Sequence, residues 1–272
     1  MVSTPEQVGE YYDQAVDWFA EVMGDNSHVG YWPSPDDRST LEEATDNLTD
    51  QLIERLEVGP GARVLDVGCG TGRPAVRLSK ATGCEVIGIA VSPEQVRRAN
   101  ARAEEEGVAH LVSFQVGNAM ELAFADTSFD AAWALESIMH MADRKHVLTE
   151  IQRVLRPGGR VALTDLFEAD PAGPEQRAAL EGYLAGMESS MAEIDDYPGI
   201  VTAAGLRIAE LLDITGRTQE RTRTEVAKVL ERKKHELTAQ FGPQWTEIFE
   251  RMAEQADAAP EIGYLLLVAR KP

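Results

Sequence analysis

The chain has 272 residues, 43% of them hydrophobic, which suits a substantial core in one large α/β domain with an insert or in two small domains. Its 46 acidic and 26 basic side chains give a formal charge of −20, a field that repels phosphate backbones and anionic membrane surfaces and excludes nucleic acid and membrane as expected partners. No run reaches the roughly 20 apolar residues of a membrane helix, the first residues lack a signal-peptide pattern, and Cys69 and Cys84 match no metal-ligand spacing; a cytoplasmic protein without a metal site or disulfide framework is expected.

In chain order, residues 1–58 read as a helical cap, with Tyr11, Trp18 and Phe19 at helical spacing on an apolar face. Short β-branched runs then alternate with longer helical patterns, the mark of parallel βαβ units. Strands are expected at 63–68, 85–91, 111–116, 129–135 and 159–167, with helices near 73–82, 93–106 and 143–155, so that 59–168 forms a ligand-binding core. "RPGG" at 156–159 reads as the turn that ends the last of these helices. Residues 169–205 form an insert whose helix, 174–192, sets Leu180, Tyr183, Leu184, Met187 and Met191 on one face. A sixth strand at 206–214, two amphipathic helices and a last strand at 262–270 return the chain to the core over 206–272, within a single domain spanning 1–272. Val226, Val229, Leu230, Leu237 and Phe241 mark the first of these helices, and Trp245, Ile248, Phe249 and Met252 the second.

The stretch "VLDVGCGTGRP" (64–74) is a glycine-rich turn between a strand and a helix. A dinucleotide fingerprint is G-x-G-x-x-G, but here Gly68, Gly70 and Gly72 run G-x-G-x-G, and the Gly-Lys-Ser/Thr ending of a Walker loop is absent. Asp66, two residues ahead of Gly68, would put negative charge beside a pyrophosphate; it suits a ligand carrying an ammonium and a sulfonium. The turn reads as a site for S-adenosylmethionine (AdoMet). Alanine stands at residue 90, near the end of the second strand, where a ribose-binding acid is expected, which speaks against NAD as well.

Together with "HVGYW", "PAVRL", "FDAAWALES", "RVLRPGG" and a terminal "ARKP", this loop resembles the class I AdoMet-dependent methyltransferases, and within them the bacterial natural-product sugar O-methyltransferases of the rebeccamycin glycosyl type. The resemblance implies a Rossmann-like, seven-stranded sheet, mostly parallel with the last strand antiparallel, carrying the helical N-terminal cap and a helical lid insert. It implies AdoMet as cofactor, with Asp66, Gly68, Gly70 and Gly72 at its methionine end. Gln95 would then take the ribose, although Ser92-Pro93-Glu94-Gln95 also fits a helix capping box. Asn118 would accept from the adenine amino group, or simply serve the turn, with the backbone of Ala119 facing the ring and Leu135 in the same set. From the cap, Tyr12 would close over the methyl-donor region, His28 would approach the AdoMet carboxylate and Trp32 would wall the pocket.

Ligands of doubly wound sheets bind beyond the carboxyl ends of the strands, where His140 and Asp165 lie. Methyl transfer to an alcohol requires loss of its proton, so His140 is the expected general base and Asp165 its partner or an acceptor-positioning group. The resemblance places two histidines after "ALES"; here the pair is Met139-His140, which makes Met139 a softer wall of the acceptor site. Tyr183, Met187 and Met191 would form a lid over the acceptor or pack on the core. The expected partner is a small natural product methylated at a glycosyl or other hydroxyl, with amine or carbon acceptors and a homodimer left open.

Overall fold

The computed structural model describes residues 4–24, 26–169, 173–258 and 262–272, and the side chains of Phe249 and Met252 lie outside what it describes. Helix α1 (Pro5–Phe19) starts at a capping box made by Thr4 and Gln7, with proline preset at the first helical position. It widens into a π-helical turn over Ala20–Gly24. Helix α2 (Leu41–Leu56) begins on a second box, Thr40 with Glu43, and buries Leu48, Leu52 and Leu56 against the sheet.

Next come β1 (Arg63–Val67), α3 (Arg73–Thr82), β2 (Glu85–Ala90), α4 (Pro93–Glu105), β3 (Val112–Val116), β4 (Phe129–Ala134), α5 (Arg144–Val154) and β5 (Leu155–Glu168). The remaining elements are α6 (Pro174–Gly186), α7 (Tyr197–Ala203), β6 (Arg207–Asp213), α8 (Gln219–Phe241), α9 (Pro243–Ala258) and β7 (Ile262–Arg270). The seven strands lie in the order β3-β2-β1-β4-β5-β7-β6. All pairs among β1 to β5 are parallel, and β7 runs antiparallel between β5 and β6. The expected fold class is the observed one.

Alternation along the central strands feeds two cores. Val64, Ala131 and Trp133 enter the layer beneath α2, α3 and α4, while Leu65, Ala132 and Ala134 enter the layer shared with α5 and α7. Each fully buried aliphatic side chain contributes about 1.5–3 kcal/mol. Two expectations need correction. "RPGG" lies inside β5, where the register against β4 slips and Gly158, at φ 80°, forms a bulge that bonds Lys271 of the chain end. The insert helix stops at Gly186 rather than at 192, because Glu188 takes a left-handed φ of 50° and turns the chain. Helix α7 follows, a short element with too few turns to show a periodicity.

Candidate active site

A cavity opens beyond the carboxyl ends of β1, β2 and β4, the switch point at which strand order reverses. The turn after β1 forms its floor. Gly68 has φ 80°, and a Cβ there would meet the Ser137 side chain at 2.2 Å, so a glycine is required. Gly70 lines the cavity. Gly72 does not: it caps α3 with φ 81°, and a Cβ would strike Phe114 and Ala99, so its place is in helix–helix packing rather than against a ligand.

Asp66 lines the cavity at 3% exposure, and among the described residues no cation pairs with it. Burial pushes its carboxyl up to about 7, opposed in part by the Trp133 indole. Asn26, which the sequence reading did not single out, also lines it. Its Nδ2 donates to Thr45 Oγ1 (2.8 Å) and Asp46 Oδ1 (3.2 Å), while its buried Oδ1 has no partner. An uncompensated carboxyl and an orphaned amide oxygen in one cavity fit a ligand that brings a cation and N–H donors, as the ammonium of AdoMet would.

Further round the wall stand Gln95, Asn118, Ala119 and Leu135, the residues that the resemblance assigns to a ribose and adenine end. Ser92 Oγ accepts from Gln95 N–H (2.9 Å), but the return bond of a capping box is not formed, leaving the Gln95 amide at the cavity. Asn118 Oδ1 accepts from Met120 N–H (2.9 Å), the turn role; its second lone pair remains for another donor.

From the cap, Tyr12 and His28 reach the cavity and Trp32 does not. Trp32 is buried with Leu41 and Ala44, donates to the Ser39 carbonyl (3.0 Å) and lies under the Arg221 guanidinium, so it braces the 26–32 segment from behind. Burial lowers His28 to about 4, which keeps it neutral. Its ring is engaged, Nδ1 donating to the Val29 carbonyl (3.0 Å) and Nε2 facing Thr49 Oγ1 (3.4 Å), so neither nitrogen is without a partner at the cavity.

His140 sits on the loop after β4 and lines the same cavity. The Glu188 carbonyl lies 3.0 Å from its Nδ1 and can only accept, so Nδ1 carries the hydrogen. The lone pair of the neutral ring is then on Nε2, 2.9 Å from the Tyr12 hydroxyl, which donates to it. Burial lowers the His140 pKa, and Asp165, Arg144 and the Glu188 carboxyl act on it with opposing signs. The arrangement is a neutral imidazole able to take a proton from a hydroxyl.

Asp165 is not the hydrogen-bond partner of that imidazole. Fully buried, it takes Arg144 Nε (2.6 Å) and Nη2 (3.2 Å), the Tyr197 hydroxyl and the Leu166 N–H. With two donors on each of its oxygens, Asp165 has its lone-pair sites filled and none left for a histidine. None of the four expected acceptor-side residues lines this cavity, and for Met187 and Met191 the structure shows the core packing that was the alternative to a lid. Met139, Met187 and Met191 pack into the core beneath the cavity, Tyr183 is half-buried outside its wall, and Met141 takes the place expected of Met139. Burial and the nearby Glu136 carboxyl raise the Tyr183 hydroxyl to about 12.

Glu136 is the second residue that sequence reasoning passed over, though "ALES" contains it. At φ 46°, it lines the cavity between β4 and His140, and its Oε1 accepts from Val29 N–H (2.8 Å). Burial pushes its carboxyl up to about 7 against hydrogen bonds from Tyr264 and Val29. The signal that would have found it is a lone acid in an otherwise apolar run at a strand end.

Set beside known proteins, residues 65–163 match the methyltransferase domain family. The chain is 40% identical over 270 residues to the methyltransferase GfsG of Streptomyces halstedii, covering 98% of this chain and 94% of that protein. It is 39% identical over 270 residues to the 27-O-demethylrifamycin SV methyltransferase of Amycolatopsis mediterranei, covering 99% and 98%. Among solved structures, the [4+2]-cyclase SpnF superposes with a TM-score of 0.86 at 32% identity, over 100% of this chain and 98% of that one.

Proposed function

The chain belongs to the AdoMet-dependent methyltransferases, and on that premise we propose that it methylates a hydroxyl group of a small natural product, with His140 as the general base. The observation that carries the reading is the Tyr12 hydroxyl held 2.9 Å from His140 Nε2, the lone-pair-bearing nitrogen of a ring whose other nitrogen is locked as a donor. An acceptor hydroxyl taking that position hands its proton to Nε2 as its oxygen attacks. Bound AdoMet supplies the activated methyl group on its sulfonium. The chain supplies orientation: Asp66 and Asn26 at the methionine end, Gln95, Asn118, Ala119 and Leu135 at the nucleoside end, and Tyr12 with Glu136 closing the space about the acceptor. A natural-product relative that acts on a rifamycin supports an oxygen acceptor. A glycosyl hydroxyl is the member of that class to which the sequence resemblance points.

The test uses AdoMet with a deuterated methyl group and a panel of hydroxylated polyketides and glycosides, read by mass spectrometry. Label on oxygen, abolished at least ~100-fold by His140→Ala, is the expected result. Because burial lowers its pKa, the basic form of His140 persists below the ~6.5 of a free imidazole, so at saturating AdoMet the acid limb of kcat/KM for the acceptor falls below that pH and vanishes in the variant. Label on nitrogen or carbon, or an unchanged rate in His140→Ala, overturns the base assignment. AdoMet binding without any label transfer moves the assignment toward the chemistry of the cyclase relative.

A further inference from the structure

We propose that Arg144, Asp165 and Ser190 are positioning residues that decide which nitrogen of His140 carries the hydrogen, by clamping the turn that presents the Glu188 carbonyl. This rests on the reading of His140 as base and extends it to residues that never touch the acceptor. Arg144 begins α5, four residues after His140, and its guanidinium has two sets of partners. Nε and Nη2 grip Asp165 at 2.6 and 3.2 Å, while Nη1 donates to Ser190 Oγ (3.0 Å) and Nη2 to the Ser190 carbonyl (2.6 Å). Ser190 in turn donates from its N–H (2.9 Å) and Oγ (3.2 Å) to the carbonyl of Met139, the residue before His140. On the other side, Met187 and Ser189 N–H groups bond back to the last turn of α6. Glu188, at φ 50°, is held between these two anchors with its carbonyl on His140 Nδ1.

The chemistry requires such a clamp. A neutral imidazole carries its hydrogen on either nitrogen, and only the form with hydrogen on Nδ1 leaves Nε2 able to accept a proton. With the carbonyl withdrawn, the ring can turn Nε2–H toward the Tyr12 oxygen instead, and the base is lost without any change in the base residue. Arginine suits the post because one planar fork serves a carboxylate and a loop together, which a lysine ammonium does not. The insert thus bears on turnover through the histidine it orients, although its Tyr183, Met187 and Met191 do not line the cavity.

The experiment reads the tautomer directly, with no acceptor present: long-range proton–nitrogen NMR of protein labelled with 15N-histidine and bound to S-adenosylhomocysteine, with His140→Asn assigning the signal. The wild type is expected to carry hydrogen on Nδ1. Arg144→Lys keeps a cation beside Asp165 but loses the fork. It should raise the Nε2–H fraction about fivefold or more, the scale of one hydrogen bond, and Ser190→Ala should do so to a smaller degree. A wild-type ring protonated on Nε2, or an unchanged tautomer in both variants while the other histidine signals stay native, overturns the proposal. Should Arg144→Lys fail to fold, Ser190→Ala decides alone. Full turnover in His140→Ala would defeat the base reading and leave this tautomer result standing, so the two failures are distinct.

Discussion

Asp66 is a carboxyl buried at the cavity floor, raised to about 7 by desolvation and matched by no cation among the described residues. A carboxyl whose folded pKa lies above its unfolded value binds extra protons in the native state, so its contribution to stability is lost as pH rises toward 7. Asp66→Asn should therefore raise the melting temperature of the ligand-free protein at pH 8 while weakening AdoMet about 10- to 100-fold, the worth of a hydrogen bond to a charge. The wild-type affinity should climb from pH 6 to pH 8 and that of the variant stay flat, as calorimetric titration would show. Loss of both stability and affinity would mean that Asp66 serves the fold alone. Asp66, Gln95 and His140 were legible because each sits in a motif with a spacing. Asn26 was not, since an asparagine in a loop has no pattern; only its orphaned oxygen inside the cavity marks it. Asp165 was legible as a strand-end acid but not as the partner of Arg144, a pairing that depends on where α5 begins.

Helix α2 and helix α3 are joined across the cap by an ion network that also reaches the site. Arg73 and Arg77 both donate to Asp46 Oδ2, at 3.0 and 3.1 Å, and Arg77 reaches Asp50 (2.6 Å). Asp46 also accepts from Asn26 Nδ2, so the network sets the amide whose oxygen faces the cavity. Partly exposed pairs contribute about 1 kcal/mol at most. Asp46→Ala should lower the melting temperature by only about 2–4 °C. It should nevertheless speed amide exchange over residues 26–32 and weaken AdoMet, because Asn26 loses a fixed partner. Unaltered exchange there would sever the cap from the site. At this scale the strands and the α3, α4 and α5 helices could be read from periodicity. The end of α6 could not, because Glu188 adopts its left-handed turn under the bonds that Ser189 and Ser190 make, not from any local preference of glutamate.

The whole molecule carries a formal charge of −20, with 46 acidic side chains against 26 basic ones. Self-repulsion of that size should outweigh the pairs that salt weakens, so raising sodium chloride from 0.01 to 0.5 M should increase the melting temperature by at least ~2 °C. A fall in scanning calorimetry would show instead that the ion pairs dominate. The sequence by itself determined the run of strands and helices and the glycine turn after the first strand, because alternating apolar residues, turn glycines and an acid at fixed spacing act over a few neighbouring residues, while the mixed direction of the sheet was implied only by the family resemblance. Only the tertiary structure decided that Trp32 and Gly72 pack away from the cavity, that Met141 rather than Met139 lines it, and that Asp165 pairs with Arg144. Each of these depends on which side chain meets which across elements far apart in the chain, and that information resides in the packing.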